Sequence, residues 1–330
     1  MRLASLAHLA VVLTVTSVLG CDDTNPTSSA GGSTSASTST SVTGTTSGTT
    51  SSVASSTGAG MVTTDFTAGG DRPTTVFVPP NYDATKPAPL LILLHGYTAS
   101  GAIQEAYLKV KAVAQAHGMI YAHPDGTKED STAKNQFWNA TDACCNFYGS
   151  TVDDSKYLID LVNEIKTRVN VDPKRVYFFG HSNGGFMSHR MACDHAGDIA
   201  AIASLAGAMY DDPSNCKPSE PVAVLQIHGT ADETIAYAGG TTVTTYPGAV
   251  ETITDWATLD GCAPTPDTSK PNLDLEGSLM GDETKVTAFN GCKAGGAAEL
   301  WTIEGGSHVP SISATFTETV VQFLLDHPKP

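Results

Sequence analysis

The sequence is short of positive charge. Its 330 residues carry 18 Lys and Arg against 34 Asp and Glu, a formal net charge of −16 at pH 7. Phosphate binding needs clustered Lys and Arg, so no nucleic-acid partner is expected. Strongly anionic polymers are disfavoured as substrates, because like charges repel on approach. Charged side chains make up only 16% of the chain and Gly is abundant, which does not fit a coiled coil or a solvated tail. Neither CxxC pairs nor His-rich tracts occur, so no metal site is expected. Internal repeats are also missing.

Apolar runs long enough to cross a membrane are scarce. The longest, residues 3–19, follows Arg2 and is marginal for a span. It reads as a secretory signal over residues 1–20. The run closes as Val18-Leu19-Gly20-Cys21, which resembles a bacterial lipobox. In that reading Cys21 is lipidated and becomes the mature N-terminus, so the only membrane contact is a lipid anchor. Ordinary signal cleavage, with Cys21 a spare thiol, is the alternative. Residues 24–60 lack apolar periodicity, and about 23 of these 37 are Ser or Thr. Such a segment cannot bury enough surface to offset its ordering entropy, so residues 21–60 are expected to be a flexible tether. Residues 61–330 remain, enough for one domain with a full core.

Cysteine usage fits an exported protein. Apart from Cys21 there are six: Cys144, Cys145, Cys193, Cys216, Cys262 and Cys292. An even number in an exported chain suggests three disulfides.

From about residue 74, short β-branched runs alternate with helical stretches. Strands are expected at 75–78, 90–94, 119–123, 175–179, 199–204, 222–227 and 299–303. Helices are expected at 102–117, closed by Gly118, and at 153–169, 186–194, 253–259 and 314–325. The run at 90–94 is apolar throughout, as in a strand buried on both faces. Strands separated by helices give an α/β fold, a mostly parallel central sheet with helices on both faces, in a single domain.

Gly180-His181-Ser182-Asn183-Gly184 has the form GxSxG. The motif alone is weak, but it lies at the end of an apolar strand and the start of a helix. A tight strand-to-helix turn there lifts the Ser182 side chain clear of the sheet. The competing explanation is a plain helix N-cap serine. A serine nucleophile needs a His to take its proton and a carboxylate to orient that His. In this arrangement the order is Ser, acid, His. Order excludes His8, His95, His117, His123 and His181. His189 and His195 sit on or just beyond the helix after Ser182, His228 ends a strand and suits a structural hydrogen bond, and His327 is in the tail. His308, in Gly305-Gly306-Ser307-His308, is the candidate base. The acid is expected after the strand at 222–227, at Asp232, with Glu233 as fallback. Two backbone N–H donors are needed for the oxyanion. Asn183 follows the nucleophile at a helix N-terminus, and Tyr97, with Gly96 as alternative, follows the strand at 90–94.

Taken together, these blocks resemble the secreted esterases that include feruloyl esterases and polyhydroxybutyrate depolymerases of the α/β-hydrolase superfamily. The matching stretches are Leu94-His95-Gly96, His123-Pro124-Asp125-Gly126, Trp138-Asn139 before Cys144-Cys145, and Val152-Asp153-Asp154. Further matches are Arg175-Val176-Tyr177, the segment 180–185, His228-Gly229-Thr230-Ala231-Asp232 and Ile303-Glu304-Gly305-Gly306-Ser307-His308. The resemblance implies an α/β-hydrolase fold and agrees with Ser182, Asp232 and His308 as the catalytic residues. It also implies disulfides from Cys144 and Cys145 to Cys193 and Cys216, in unspecified pairing, and one from Cys262 to Cys292 across a loop-rich insertion at 263–291. Family members often carry Trp-Pro soon after the catalytic His. Here the sequence is His308-Val309-Pro310, with no Trp; Trp138 and Tyr97 are the candidates for an aromatic wall, with core or rim packing as the alternative for each.

The function expected is an exported, lipid-anchored serine esterase that needs no cofactor. Feruloyl or acetyl esters on plant cell-wall polysaccharide such as xylan come first as substrates, and a polyhydroxyalkanoate polyester second. Acyl transfer or peptidase action would use the same acyl-enzyme. A rival of another class is a non-catalytic glycan-binding surface lipoprotein on a hydrolase scaffold.

Overall fold

The computed structural model describes residues 63–130 and 135–330. The expected signal (1–20), the tether (21–60) and Cys21 lie outside the described residues. No helix among the described residues is long and apolar enough to cross a membrane.

The apolar run Leu90-Leu91-Ile92-Leu93-Leu94 explains the architecture. All five side chains are fully buried, each contributing about 2 kcal/mol of hydrophobic free energy. In an extended strand successive side chains point to opposite faces. Leu90, Ile92 and Leu94 therefore enter one core, and Leu91 and Leu93 enter another. Such a strand is stable only with cover on both sides.

In chain order, β1 (Phe66–Ala68) and β2 (Thr74–Phe77) lead into β3 (Ala88–Leu94). Helices α1 (Gly101–Leu108) and α2 (Val110–Ala116) follow, then β4 (Ile120–Ala122) and a small ribbon of β5 (Thr127–Lys128) and β6 (Gln136–Phe137). The middle of the chain forms α3 (Asp154–Arg168), β7 (Val171–His181), α4 (Asn183–Asp194), β8 (Ala201–Leu205) and β9 (Ala223–Gly229). A second ribbon of β10 (Gly239–Thr241) and β11 (Thr245–Pro247) precedes α5 (Ala249–Leu259). Last come β12 (Pro266–Asp267), β13 (Thr284–Phe289), β14 (Ala297–Ile303) and α6 (Phe316–Asp326).

The main sheet runs β1-β2-β4-β3-β7-β8-β9-β14-β13-β12. Pairing is parallel from β4 to β14 and antiparallel at both edges. Apolar residues of α3, α4 and α5 fill the core on one face, and those of α2 and α6 fill the other. This is the α/β-hydrolase arrangement expected from the sequence.

Two expectations need correction. The helix at 102–117 is two helices, broken at Lys109 with φ 54° and ψ 36°. Thr317 donates its hydroxyl to the freed carbonyl of Leu108, and the Glu105 carboxylate accepts from the N–H of Lys111, so tertiary contacts satisfy the break. The insertion at 263–291 is loop-rich, as expected, around β12 and around β13, which pairs along its length with β14. Finally, Cys144 and Cys145 are bonded to each other rather than to Cys193 and Cys216. The short 3-10 turn Pro213–Asn215 brings Cys216 to the end of α4, where it meets Cys193 at a Cα separation of 4.9 Å. Those two close on one another. Cys262 and Cys292 are joined, as the resemblance implies.

One buried carboxyl sits uneasily in this frame. Asp260, fully buried after α5, accepts from the N–H of Val222 at 3.1 Å, while its second oxygen has no hydrogen-bond partner. Burial pushes its carboxyl up to about 7. Between its unfolded value near 4 and about 7, the folded protein holds a proton that the unfolded chain releases. Asp260 therefore makes stability fall as pH rises through that window. Asp260→Asn removes this contribution. Urea midpoints should nearly coincide for the two proteins at pH 4, with the variant the more stable at pH 8.

Candidate active site

Ser182 sits between β7 and α4 with φ 55° and ψ −121°. A non-glycine residue in such a conformation costs on the order of 1–3 kcal/mol and needs outside support. Its N–H donates to the carbonyl of Leu205 at 2.8 Å, and its carbonyl accepts from Phe186 at 3.0 Å. The turn is too tight for side chains at its flanks. A Cβ at Gly180 would lie 2.0 Å from the carbonyl oxygen of Gly184, and one at Gly184 would lie 2.3 Å from that of Leu94. Both glycines of the motif are therefore required sterically.

The structure brings Ser182, His308 and Asp232 together. Ser182 Oγ is 2.9 Å from His308 Nε2, and His308 Nδ1 is 2.7 Å from Asp232 Oδ2. Asp232 Oδ1 accepts from the N–H groups of Thr234 and Ile235, each at 2.8 Å. The fallback acid, Glu233, is exposed beside it. Burial pushes the Asp232 carboxyl up, but hydrogen bonds from His228 and His308 outweigh it and hold the carboxyl well below its usual range. The loops bearing acid and base are stitched together, with Ala231 N–H donating to Gly306 O at 2.9 Å and Gly305 N–H to the Thr230 hydroxyl at 2.7 Å.

His308 is held from three further directions. His181 Nε2–H donates to the His308 carbonyl at 2.9 Å, Tyr107 donates to Pro310 O at 2.7 Å, and Glu276 accepts from Ser311 N–H at 2.7 Å. Burial, and then the nearby His308 charge, bring His181 down to about 3, so it stays a neutral donor. Sequence order gave no sign of this supporting contact from His181.

The two N–H groups singled out for the oxyanion remain free among the described residues. No hydrogen bond takes that of Asn183 or of Tyr97, whereas Gly96 N–H donates to Gln104 Oε1 at 3.2 Å. A Cβ built on Gly96 would lie 3.4 Å from Ser182 Cβ, which puts this loop against the nucleophile. His95 holds the loop in shape, donating through Nδ1 to Gly96 O and accepting through Nε2 from Gly126 N–H, each at 2.8 Å.

Of the two readings of Trp138, aromatic wall or core, the structure shows the core. Trp138 is fully buried, and its indole N–H donates to His95 O at 3.1 Å. The Asn183 side chain clamps its backbone in both directions, accepting from Trp138 N–H at 2.7 Å and donating to Trp138 O at 2.9 Å. Trp138 therefore braces the start of α4. Tyr97 is half-buried, donates its hydroxyl to Glu129, and meets the ring of Phe147 edge-on at 5.1 Å. Phe147 is 49% and Tyr148 71% exposed. This aromatic pair, next to Cys145 in sequence, was missed. Its only signal was two large rings in a polar loop.

A model of the phospholipase/carboxylesterase family matches residues 81–265, more than half of the chain, including Ser182 and Asp232. The chain belongs to this family. His308 lies C-terminal to the matched residues. Among the relatives of this phospholipase/carboxylesterase family member, feruloyl esterase B of Piromyces equi is 30% identical over 263 residues, 77% of this chain and 46% of that protein. Feruloyl esterase D of Neurospora crassa is 26% identical over 264 residues, 76% of this chain and 79% of that one. The chain thus spans less than half the length of the first of these relatives. An acetyl xylan esterase from Aspergillus awamori superposes with a TM-score of 0.57 at 16% identity, over 79% of this chain and 97% of that one, a likeness of fold.

Trp138→Phe tests the bracing role. Loss of the indole hydrogen bond and some packing should lower stability by about 1–3 kcal/mol. Thermal unfolding checks it.

Proposed function

We propose that the protein is a serine carboxylic ester hydrolase acting through an acyl-enzyme, on feruloyl or acetyl esters of plant cell-wall polysaccharide. The observation that carries this reading is the continuous contact from Ser182 Oγ through His308 to Asp232. Ser182 Oγ attacks the ester carbonyl carbon and passes its proton to His308 Nε2. Asp232, accepting from Nδ1–H, fixes the tautomer and stabilises the imidazolium. The N–H groups of Asn183 and Tyr97 receive the oxyanion, in reach of the α4 N-terminus. Collapse expels the alcohol, which takes the proton back from His308. Water, deprotonated by the same base, then releases the acid.

Sheet order separates the two ends of the ester. Tyr97 follows β3 on one side of β7, while Asp232 and His308 follow β9 and β14 on the other. With the leaving oxygen facing His308, our reading puts the acyl group on the side of Tyr97 and the exposed rings of Phe147 and Tyr148. A planar aryl acyl group suits that ledge, and the feruloyl esterases among the relatives support the same choice. Export with a lipid anchor at Cys21 rests on the apolar run ahead of it and on the disulfide-bonded cysteines.

A panel of methyl ferulate, p-nitrophenyl acetate, acetylated xylan and a hydroxybutyrate oligomer tests the reading. Ser182→Ala and His308→Ala should each lower kcat by about 10⁴ or more, and Asp232→Asn by a comparable or smaller factor. No turnover of any ester, with no labelling of Ser182 by a serine-directed phosphonate, overturns it. The double variant Phe147→Ala, Tyr148→Ala should raise KM for methyl ferulate about fivefold and leave methyl acetate unchanged. An unchanged KM for both would remove the aryl preference.

A further inference from the structure

The acid of the site touches a second histidine that the mechanism above does not use. Asp232 Oδ2, which accepts from His308 Nδ1, also lies 3.3 Å from His228 Nε2. The same His228 nitrogen is 2.8 Å from the carbonyl of Ile235. Both neighbours are acceptors, so Nε2 must carry the proton and share it between them. The far side of the ring agrees, because His228 Nδ1 faces Gln226 Nε2 at 3.2 Å.

Gln226 has only one workable orientation. Its Nε2 donates to Gly207 O at 2.8 Å, and its Oε1 accepts from His189 Nε2 at 2.9 Å. His189 Nδ1 accepts in turn from the indole N–H of Trp256 at 2.9 Å, a group that can only donate. Burial brings His189 down to about 4, which keeps it neutral. The chain Trp256, His189, Gln226, His228, Asp232 thus runs from a pure donor to a pure acceptor. Each member is 6% exposed or less. No step can reverse without leaving a buried donor or acceptor unpaired.

We infer that His228 is a positioning residue for catalysis, a buried donor held in one tautomer by Gln226 that keeps Asp232 Oδ2 aimed at His308. This rests on the serine ester hydrolase reading. The geometry gives the role its content. Thr234 and Ile235 bind only Oδ1, so without His228 the oxygen that orients the base is held by the base alone. His228 also ties that oxygen to the carbonyl of Ile235, closing the turn at 232–235 into one rigid unit. A carboxylate free to swing would present His308 in fewer reactive geometries. The loss would fall on the chemical step and not on substrate binding.

The test compares His228→Leu, which removes the donor, with His228→Gln, whose amide nitrogen can reach the same position. A hydrogen bond to a charged group is the interaction at stake, so His228→Leu should lower kcat about tenfold with KM held within about twofold. His228→Gln should recover most of that loss. The most downfield imidazole N–H resonance, from His308 Nδ1–H, should shift in His228→Leu and return in His228→Gln, because the Leu variant leaves Oδ2 one donor short. A purely structural role would lower thermal stability without moving that resonance or splitting kcat from KM. Wild-type kcat and an unshifted resonance in His228→Leu overturn the inference. If His228→Leu does not fold, Gln226→Leu decides, since it frees the His228 tautomer without touching the triad. It should lower kcat in the same direction, and an unchanged kcat overturns the inference. Wild-type protein that neither turns over p-nitrophenyl acetate nor takes up the phosphonate at Ser182 would instead overturn the esterase reading beneath it.

Discussion

Strand β7 and helix α4 cross so closely at Ser182 that backbone replaces side chain on either flank, and the rest of the site is arranged around that crossing. The close approach of Gly180 to Gly184, and of Gly184 to Leu94, sets Ser182 above the carboxyl edge of the sheet. It also fixes which neighbours can support it. The Leu205 carbonyl, from the end of the adjacent parallel strand β8, takes the Ser182 N–H, so the unfavourable φ is held by the sheet itself. The parallel pairing of β3, β7, β8, β9 and β14 then brings five loops out on the same edge. Three of those loops carry Ser182, Asp232 and His308, and a fourth carries Tyr97. A buried parallel core is thus the physical condition for the convergence, because it aligns strand ends that are far apart in sequence.

Charge at this edge is managed by donors more than by solvent. The Asp232 side chain is removed from water, where an unpaired carboxylate would cost several kcal/mol. Two backbone N–H groups and two imidazoles surround it instead, and their combined effect exceeds the desolvation. Asp260 is the contrasting case. It is also buried but lacks a partner for one oxygen, and its carboxyl moves in the opposite direction, up to about 7. Two imidazoles face Asp232, whereas Asp260 accepts from the backbone N–H of Val222.

The grouping of the three candidate residues was legible in the sequence because their order follows from strand succession. Ser182, Asp232 and His308 each follow an apolar run, and the structure sets them within hydrogen-bonding distance of one another. Strand β13 was also readable in principle, since Thr284, Val286 and Ala288 are buried and Lys285 is exposed, a period of two. The break at Lys109 was not, because partners far away in the chain, such as Thr317, decide it. Trp138 shows a different limit. An indole can be a core residue with one polar contact or a surface for substrate, and only the Asn183 clamp and the contact to His95 O distinguish the two. The bonded pair Cys144–Cys145 was beyond reach for a related reason, since pairing depends on where the turn at 213–215 delivers Cys216.

These two cases bear on the same piece of the molecule. Trp138, Cys144 and Cys145 all belong to the segment that Asn183 grips with its side-chain amide. The backbone N–H of the same residue stays free beside the nucleophile. Asn183 therefore joins two tasks in one residue, since any shift of the loop carrying Phe147 and Tyr148 is felt through its amide at the first turn of α4. A glycine at that position would supply an equivalent N–H but has no side chain with which to bind the loop. The side-chain amide of Asn183 thus serves the segment that leads to Phe147 and Tyr148, a task its backbone N–H does not share.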